Sequence, residues 1–440
     1  MSVPTAWSKF ARFSSWTDAK IADRIRLYGT SSPGLSNCSP LSARAEIRAI
    51  LASIYIPSTQ VLVTIRKALA MLEAHARVHY SDQHAYRSTI NAAHRKPAVV
   101  RPLCITGLPG VGKTALCESL IRLMDEKPVI EVGAGYEPVR FQLARHVKVT
   151  AVNSIADVLK QVVFGTDEAS RSYSLKELGR VGVRSVYRDG LLLAMLDEMQ
   201  MVARGENASV NVVKLLLATV DLGIPVIHSS NFINVAKIMR SGMEITDRLM
   251  VNSSVMVPEQ SDDPAEFELR KAYEVATGGA VPDDERLWSV INDITLSIHR
   301  TRIELLCLAF ELARQVGRSK ISIDDLTRAA LSPDFAPSRA SVVALSSMAI
   351  SGRPVVGRKD LVCPLGVHFA FRPGAKLELE RAQSAAVEEV AVMSSLTPLE
   401  RSGLARIQKD QTPNPSTRPK KRARPPTFET LVANALRYAE

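Results

Sequence analysis

Two stretches of this chain hold residue types that can handle a polyphosphate. In the first, Leu103–Thr114, an apolar run meets a glycine-rich turn that ends in Gly-Lys-Thr. The spacing of Gly107, Gly112, Lys113 and Thr114 fits the pattern G-x-x-x-x-G-K-[ST]. Such a loop turns backbone N–H groups inward around phosphate oxygens, and the helix that continues from Ala115 adds the positive end of its dipole. Gly107, Leu108, Pro109, Gly110, Val111, Gly112, Lys113, Thr114 and Ala115 are therefore the expected cradle for ATP. Lys113 is expected to reach the β- and γ-phosphates, and the Thr114 hydroxyl to ligate Mg²⁺. The second stretch, Leu191–Glu198, is an apolar strand ending in two carboxylates. Asp197 is expected to hold Mg²⁺ through water, and Glu198 to polarise the water that attacks the γ-phosphate. The 84 positions separating Lys113 from Asp197 leave room for an intervening strand and helices.

A scaffold must bring those two strand ends together, and the rest of the chain supplies elements for one. Pro128–Val132 reads as a short second strand. Val139–Val152 reads as a strand or hairpin carrying Arg140, Arg145, His146 and Lys148, ahead of a helix at Ser154–Phe164. Cations beside the second strand can touch a nucleic-acid backbone, so Arg140, Arg145 and Lys148 are the expected DNA contacts. A helix over Val210–Val220 leads to a strand at Ile224–His228 that ends in Ser229-Ser230-Asn231. A polar tip on a strand lying between the two phosphate-handling strands can bond the γ-phosphate and the lytic water, which makes Asn231 a catalytic candidate. Before the last strand, Ser254–Val257, Arg248 is preferred to Arg240 as the arginine that reaches a neighbouring subunit's ATP. Helices at Pro264–Ala276, Asp284–Ile298, Thr301–Val316 and Ile323–Leu331 read as a lid, from which Arg300 or Arg302 could reach the phosphates. His75 and His79 stand four apart with no carboxylate between them and read as packing or surface residues rather than a metal pair.

With 440 residues, 46% of them hydrophobic, the chain can bury a substantial core in two or three domains. No run approaches about eighteen consecutive apolar residues, and Lys9, Arg12, Asp18, Lys20 and Arg24 interrupt any signal-peptide core, so a cytoplasmic protein without a membrane partner is expected. Five cysteines without C-x-x-C spacing read as reduced. Of the net charge of +11, residues 1–100 carry a surplus of eight and residues 401–440 a surplus of six, which leaves the middle slightly acidic. That placement points to basic arms that touch an acidic polymer or partner. The expected division is an N-terminal arm (1–42), a helical segment (43–100), an α/β core (101–260), a helical lid (261–331), a C-terminal extension (332–410) and a basic tail (411–440). Trp7, Phe10, Phe13 and Trp16 make the arm readable equally as a docking arm or as a cap on the main domain. Beyond Ser341 only short apolar runs broken by Gly and Pro remain until a helix at Ala375–Val392. In the tail, Phe428, Leu431, Val432, Leu436 and Tyr438 could line one side of a short partner-binding helix.

The order of these features resembles an AAA+ ATPase: an α/β, three-layer P-loop NTPase core with a parallel sheet, a helical lid, and N- and C-terminal extensions. Tyr55-Ile56-Pro57-Ser58-Thr59, Asp197-Glu198-Met199-Gln200 and Gly223-Ile224-Pro225-Val226-Ile227 narrow the resemblance to the transposition regulators TniB and TnsC, relatives of phage MuB, over residues 43–331. Members of that family usually carry Gly-Thr where this chain has Ser230-Asn231. The resemblance implies an ATP- and Mg²⁺-dependent homo-oligomer, a ring or helical filament on double-stranded DNA. Such an assembly works with a target-selector protein and recruits and stimulates transposase subunits, with ATP between protomers and Arg248 acting in trans. A helicase loader would share the core but prefer single strands; a STAND-like signalling NTPase would share it without binding DNA.

Overall fold

A computed structural model describes residues 13–29, 35–92, 100–124, 128–132, 137–165, 172–202 and 208–369. Its centre is a five-stranded sheet of β1 (Leu103–Gly107), β2 (Ala144–Lys148), β3 (Leu193–Asp197), β4 (Val226–Ser230) and β5 (Asn252–Met256), all parallel, in the order β2-β3-β4-β1-β5. Parallel strands need crossovers that cover both faces, so the inner strands read as apolar runs; β1, β3 and β4 are buried at every position, whereas edge strand β2 is not. The strand carrying the polar tip, β4, lies between β1, which leads into the glycine-rich loop, and β3, which ends in Asp197.

Four helices precede the sheet: α1 (Asp18–Ile25), α2 (Pro40–Ala52), α3 (Thr59–His79) and α4 (Gln83–Ala92). Within it come α5 (Lys113–Leu123), α6 (Ile155–Phe164), α7 (Leu175–Arg188), α8 (Ala208–Val220), α9 (Phe232–Met239) and α10 (Met243–Leu249). The lid follows as α11 (Pro264–Ala276), α12 (Glu285–Thr295), α13 (His299–Gln315) and α14 (Ile323–Leu331), then α15 (Ala336–Ser351). Local chemistry sets several of these starts: Ser154 with Asp157 on α6 and Ser174 with Glu177 on α7 form reciprocal capping boxes that satisfy orphan N–H groups.

Pro128–Val132 does not enter the main sheet. Val129–Ile130 instead pair antiparallel with Val139–Arg140 in a separate two-residue ribbon, and the second core strand is Ala144–Lys148. The N-terminal region divides between two cores rather than forming one segment. Phe13, Trp16 and the buried faces of α1 and α3 join the core around the sheet, while α2 joins the lid helices. The basic residues of this region are largely spent on holding it there: Arg44 pairs with Glu304 and Asp334, Arg48 with Glu304, Arg26 with Asp23 and Glu268, Arg66 with Asp18.

Helix α15 stands where the sequence shows only broken apolar runs. Val342 packs into the lid core and Leu345 into a third cluster with Leu108, Phe232, Ile298 and Leu361. A helix buried on two sides carries no single apolar stripe, which removes the periodic signal. The expectations for Trp7, Phe10, Ala375–Val392 and the tail at 411–440 lie outside the described residues. No described helix is long and apolar enough to cross a membrane.

Candidate nucleotide site

The C-terminal ends of the five strands converge at one edge of the sheet, and the glycine-rich loop leaves β1 there. Gly110 has φ +85°, and a Cβ on it would lie 2.7 Å from the Cβ of Arg300, so the loop's shape and the closeness of the lid both require glycine. Its carbonyl accepts the N–H of Arg300 at 3.1 Å, which ties the loop to the first turn of α13. Lys113 Nζ donates to the carbonyls of Gly107 (3.0 Å) and Leu108 (2.9 Å), curling back over the loop. Burial pushes its pKa down to about 8; Glu198 opposes that fall and Arg300 adds to it. All three charges share one neighbourhood.

Asp197, fully buried at the end of β3, is the anchor of the acidic half. Burial works against its anion, but the His146 imidazole, the Ser229 and Thr114 hydroxyls and the Glu198 N–H together hold the carboxyl below its ordinary pKa. The Ser229 hydroxyl donates to Asp197 Oδ1, while His146 Nε2 lies 3.7 Å from Oδ2, too long for a full hydrogen bond. Oδ2 is buried and accepts no hydrogen bond among the described residues. An ionised carboxylate with an unsatisfied oxygen beside the Thr114 hydroxyl fits a hard divalent cation such as Mg²⁺, with Thr114 and Asp197 the residues that would hold it. Glu198 takes φ 60°, costly for a residue with a Cβ, and its N–H is fixed by Asp197 Oδ1 (2.9 Å) and Ser229 Oγ (3.2 Å). Its carboxylate accepts a hydrogen bond from the Gln200 amide.

Sequence reasoning passed over Ser229 and His146 as members of this cluster. Ser229 left a signal, two residues before the strand-tip Asn231; His146 left none, because the register of β2 on β3 that sets it opposite Met195 exists only in the fold. Asn231 sits one residue beyond β4, where its side-chain oxygen caps α9 by accepting the Asn234 N–H at 2.9 Å. Of the two lid arginines, Arg300 stands over the loop, whereas Arg302 is wholly buried elsewhere. Its guanidinium donates to Glu259 (2.7 Å) and Asn292 (2.9 Å) and lies 3.2 Å from Glu266. Arg248, in the last turn of α10, pairs with Asp221, close to the start of β4 and so at the edge opposite the glycine-rich loop. Arg240 is exposed at the C-cap of α9. The Tyr-Ile-Pro-Ser-Thr element is clamped between sheet and lid: the Arg122 guanidinium lies 5.4 Å from the Tyr55 ring, the Thr59 N–H donates to Asp263 at 2.9 Å, and Gln60 bonds both Val255 and Val257 on the β5 side. His75 and His79 pack against Tyr187, and no group of three metal-ligating side chains occurs among the described residues.

The three expected DNA contacts do not share a surface. Arg145 is corrected outright: its side chain is 10% exposed, and it donates to the carbonyls of Val162 and Val163 at the end of α6 and to Asp189 at 3.0 Å. Lys148 is exposed at the glycine-loop edge beside Asp197, while Arg140 is exposed near the other edge, two residues before Gln142, whose N–H donates to the Asp189 carbonyl ahead of β3.

The family model described as an AAA domain matches residues 100–232. No curated protein matches the chain. Among solved structures, the Aeropyrum pernix ORC2 protein in its ADP form is 16% identical, with 69% of this chain and 84% of that chain covered at a TM-score of 0.39. The Aeropyrum pernix ORC1 protein in complex with DNA is 15% identical, covering 62% and 68% at 0.36. Domain III of the Thermotoga maritima replication initiation protein DnaA is 13% identical, covering 56% and 89% at 0.34. The matched stretch runs from the entry to β1 through the loop, both carboxylates and the tip of β4. Residues 100–232 are similar to an AAA domain, and the five-stranded parallel sheet with its surrounding helices has the AAA+ P-loop fold.

Proposed function

We propose that this protein is an ATP-hydrolysing regulator of transposition that oligomerises on duplex DNA and recruits and activates a transposase. The observation that carries the ATPase part is the meeting of Lys113, Thr114, Asp197, Glu198 and Ser229 at one strand edge, beneath Arg300 of the lid. Lys113 and the loop amides bind the β- and γ-phosphates. Thr114 and Asp197 would hold Mg²⁺, which when bound would supply positive charge to the phosphate oxygens. Ser229 orients the Asp197 carboxylate and, through the Glu198 N–H, the turn that presents Glu198. Glu198 accepts a proton from the attacking water once its carboxylate leaves Gln200. Asn231, at the tip of β4, keeps its side-chain oxygen on the α9 cap and would offer only its amide N–H groups to the γ-phosphate, which Arg300 senses from the lid.

A residue that completes a neighbour's site must lie away from its own, and Arg248 at the opposite edge meets that condition. ATP then sits between protomers, and Arg248 leaves Asp221 on assembly. The Tyr55–Thr59 element, clamped between α5, β5 and α11, supports the TniB/TnsC reading because it couples the loop's helix to the lid. Electron microscopy of the protein with duplex DNA and a non-hydrolysable ATP analogue tests this reading. Rings or filaments on the duplex are expected, lost with Arg248→Ala; assemblies confined to single strands would point to a helicase loader instead, and none on either would remove DNA from the function.

A further inference from the structure

Helix α7 lies under the N-terminal ends of the strands, at the edge opposite the phosphates. Its Tyr187 hydroxyl donates to the Gly223 carbonyl ahead of β4 at 2.8 Å, and a Cβ on Gly182 would come within 2.8 Å of Val163 and 2.9 Å of Leu222. The buried face is Leu178, Gly182, Val183, Ser185, Val186 and Tyr187. The opposite face carries Lys176, Arg180, Arg184 and Arg188, all exposed and spaced by four. Each step of four rises about 6 Å and turns about 40°, so the cations wind along about 18 Å of the helix's outer side.

We propose that this face of α7, flanked by Arg140, docks the phosphate backbone of duplex DNA. Lys176, Arg180 and Arg184 make no ion pair among the described residues, and the nearby carboxylates are engaged: Glu177 in the cap of α7, Asp189 with Arg145 and Arg188. Successive phosphates on one strand advance about 3.4 Å along a duplex, so the face spans about five of them, and long cationic side chains at this pitch reach a backbone without reading bases. A folded protein partner would need an apolar centre, and the large hydrophobics this helix exposes are only Leu175 and Val181. The inference rests on the DNA reading above and locates its surface.

The test is binding of a random-sequence duplex, with the ATP analogue, across a salt series. For a Lys176→Gln/Arg180→Gln/Arg184→Gln variant the slope of log K against log salt should flatten by about 2.7, with affinity at low salt at least about tenfold weaker. A control variant, Lys271→Gln/Arg286→Gln/Arg328→Gln, removes equal charge from exposed lid positions and should match wild type. If the triple variant fails to melt cooperatively, Arg180→Gln alone should flatten the slope by about 0.9. An unchanged slope with wild-type DNA binding intact overturns the α7 assignment and leaves the DNA reading standing. Failure of the wild type to bind duplex overturns both, and loss of polyglutamate binding with unchanged DNA slope assigns the face to an acidic protein instead.

Discussion

The cations of the N-terminal helices and lid differ from those of α7 in what faces them. Arg26, Arg44, Arg48, Arg66 and Arg302 each meet a carboxylate, and Arg302 is sealed among Glu259, Glu266 and Asn292. Along α7, three successive exposed cations meet none among the described residues. Counting charge by segment puts the basic surplus at the N-terminus and an acidic balance in the middle, yet the open cationic face lies in the middle. Pairing and burial, not the sum of charges, decide whether a cation holds the fold or waits for a ligand.

Removing a paired arginine should therefore cost stability in proportion to its burial. Arg302→Met leaves two carboxylates uncompensated and should destabilise the chain by about 3–5 kcal/mol, read as denaturant-induced unfolding of the lid core. An Arg302→Met variant as stable as wild type would break the contrast at its strongest point. Arg145→Met strips donors from the Val162 and Val163 carbonyls and from Asp189 and should cost about 1–3 kcal/mol. It should leave the salt slope of DNA binding unchanged; a flattened slope would return Arg145 to the DNA surface. Arg44→Ala removes a half-exposed pair and should cost under about 1 kcal/mol by the same measurement. At the low end, the α7 triple variant should melt with wild type, since those side chains make no ion pair among the described residues.

The phosphate edge was legible because its chemistry is local. Gly107 to Thr114 and Asp197-Glu198 each declare themselves within a few residues, and the parallel sheet that unites them follows from the need to bury apolar strands between helices. Arg145 was illegible because its partners lie on α6 and after α7, up to 44 positions away. Asn231 looked catalytic by position, and its capping bond to Asn234 depends on α9 starting at the very next residue. The four-residue spacing of Lys176, Arg180, Arg184 and Arg188 was visible, but only the packing of α7 against Val163, Leu222 and Gly223 shows that all four face outward. The element at α15 left no trace because it is buried on two sides.

Titration calorimetry with Mg²⁺ and ATP, followed by phosphate release, tests the central claim most directly, using wild type, Lys113→Ala and Glu198→Gln. Lys113→Ala removes the half-buried ammonium that would meet the phosphates and should lose ATP binding. Glu198→Gln removes only the base and should bind like wild type while hydrolysis falls by about 10²-fold or more. Wild-type ATP affinity in Lys113→Ala would contradict the site.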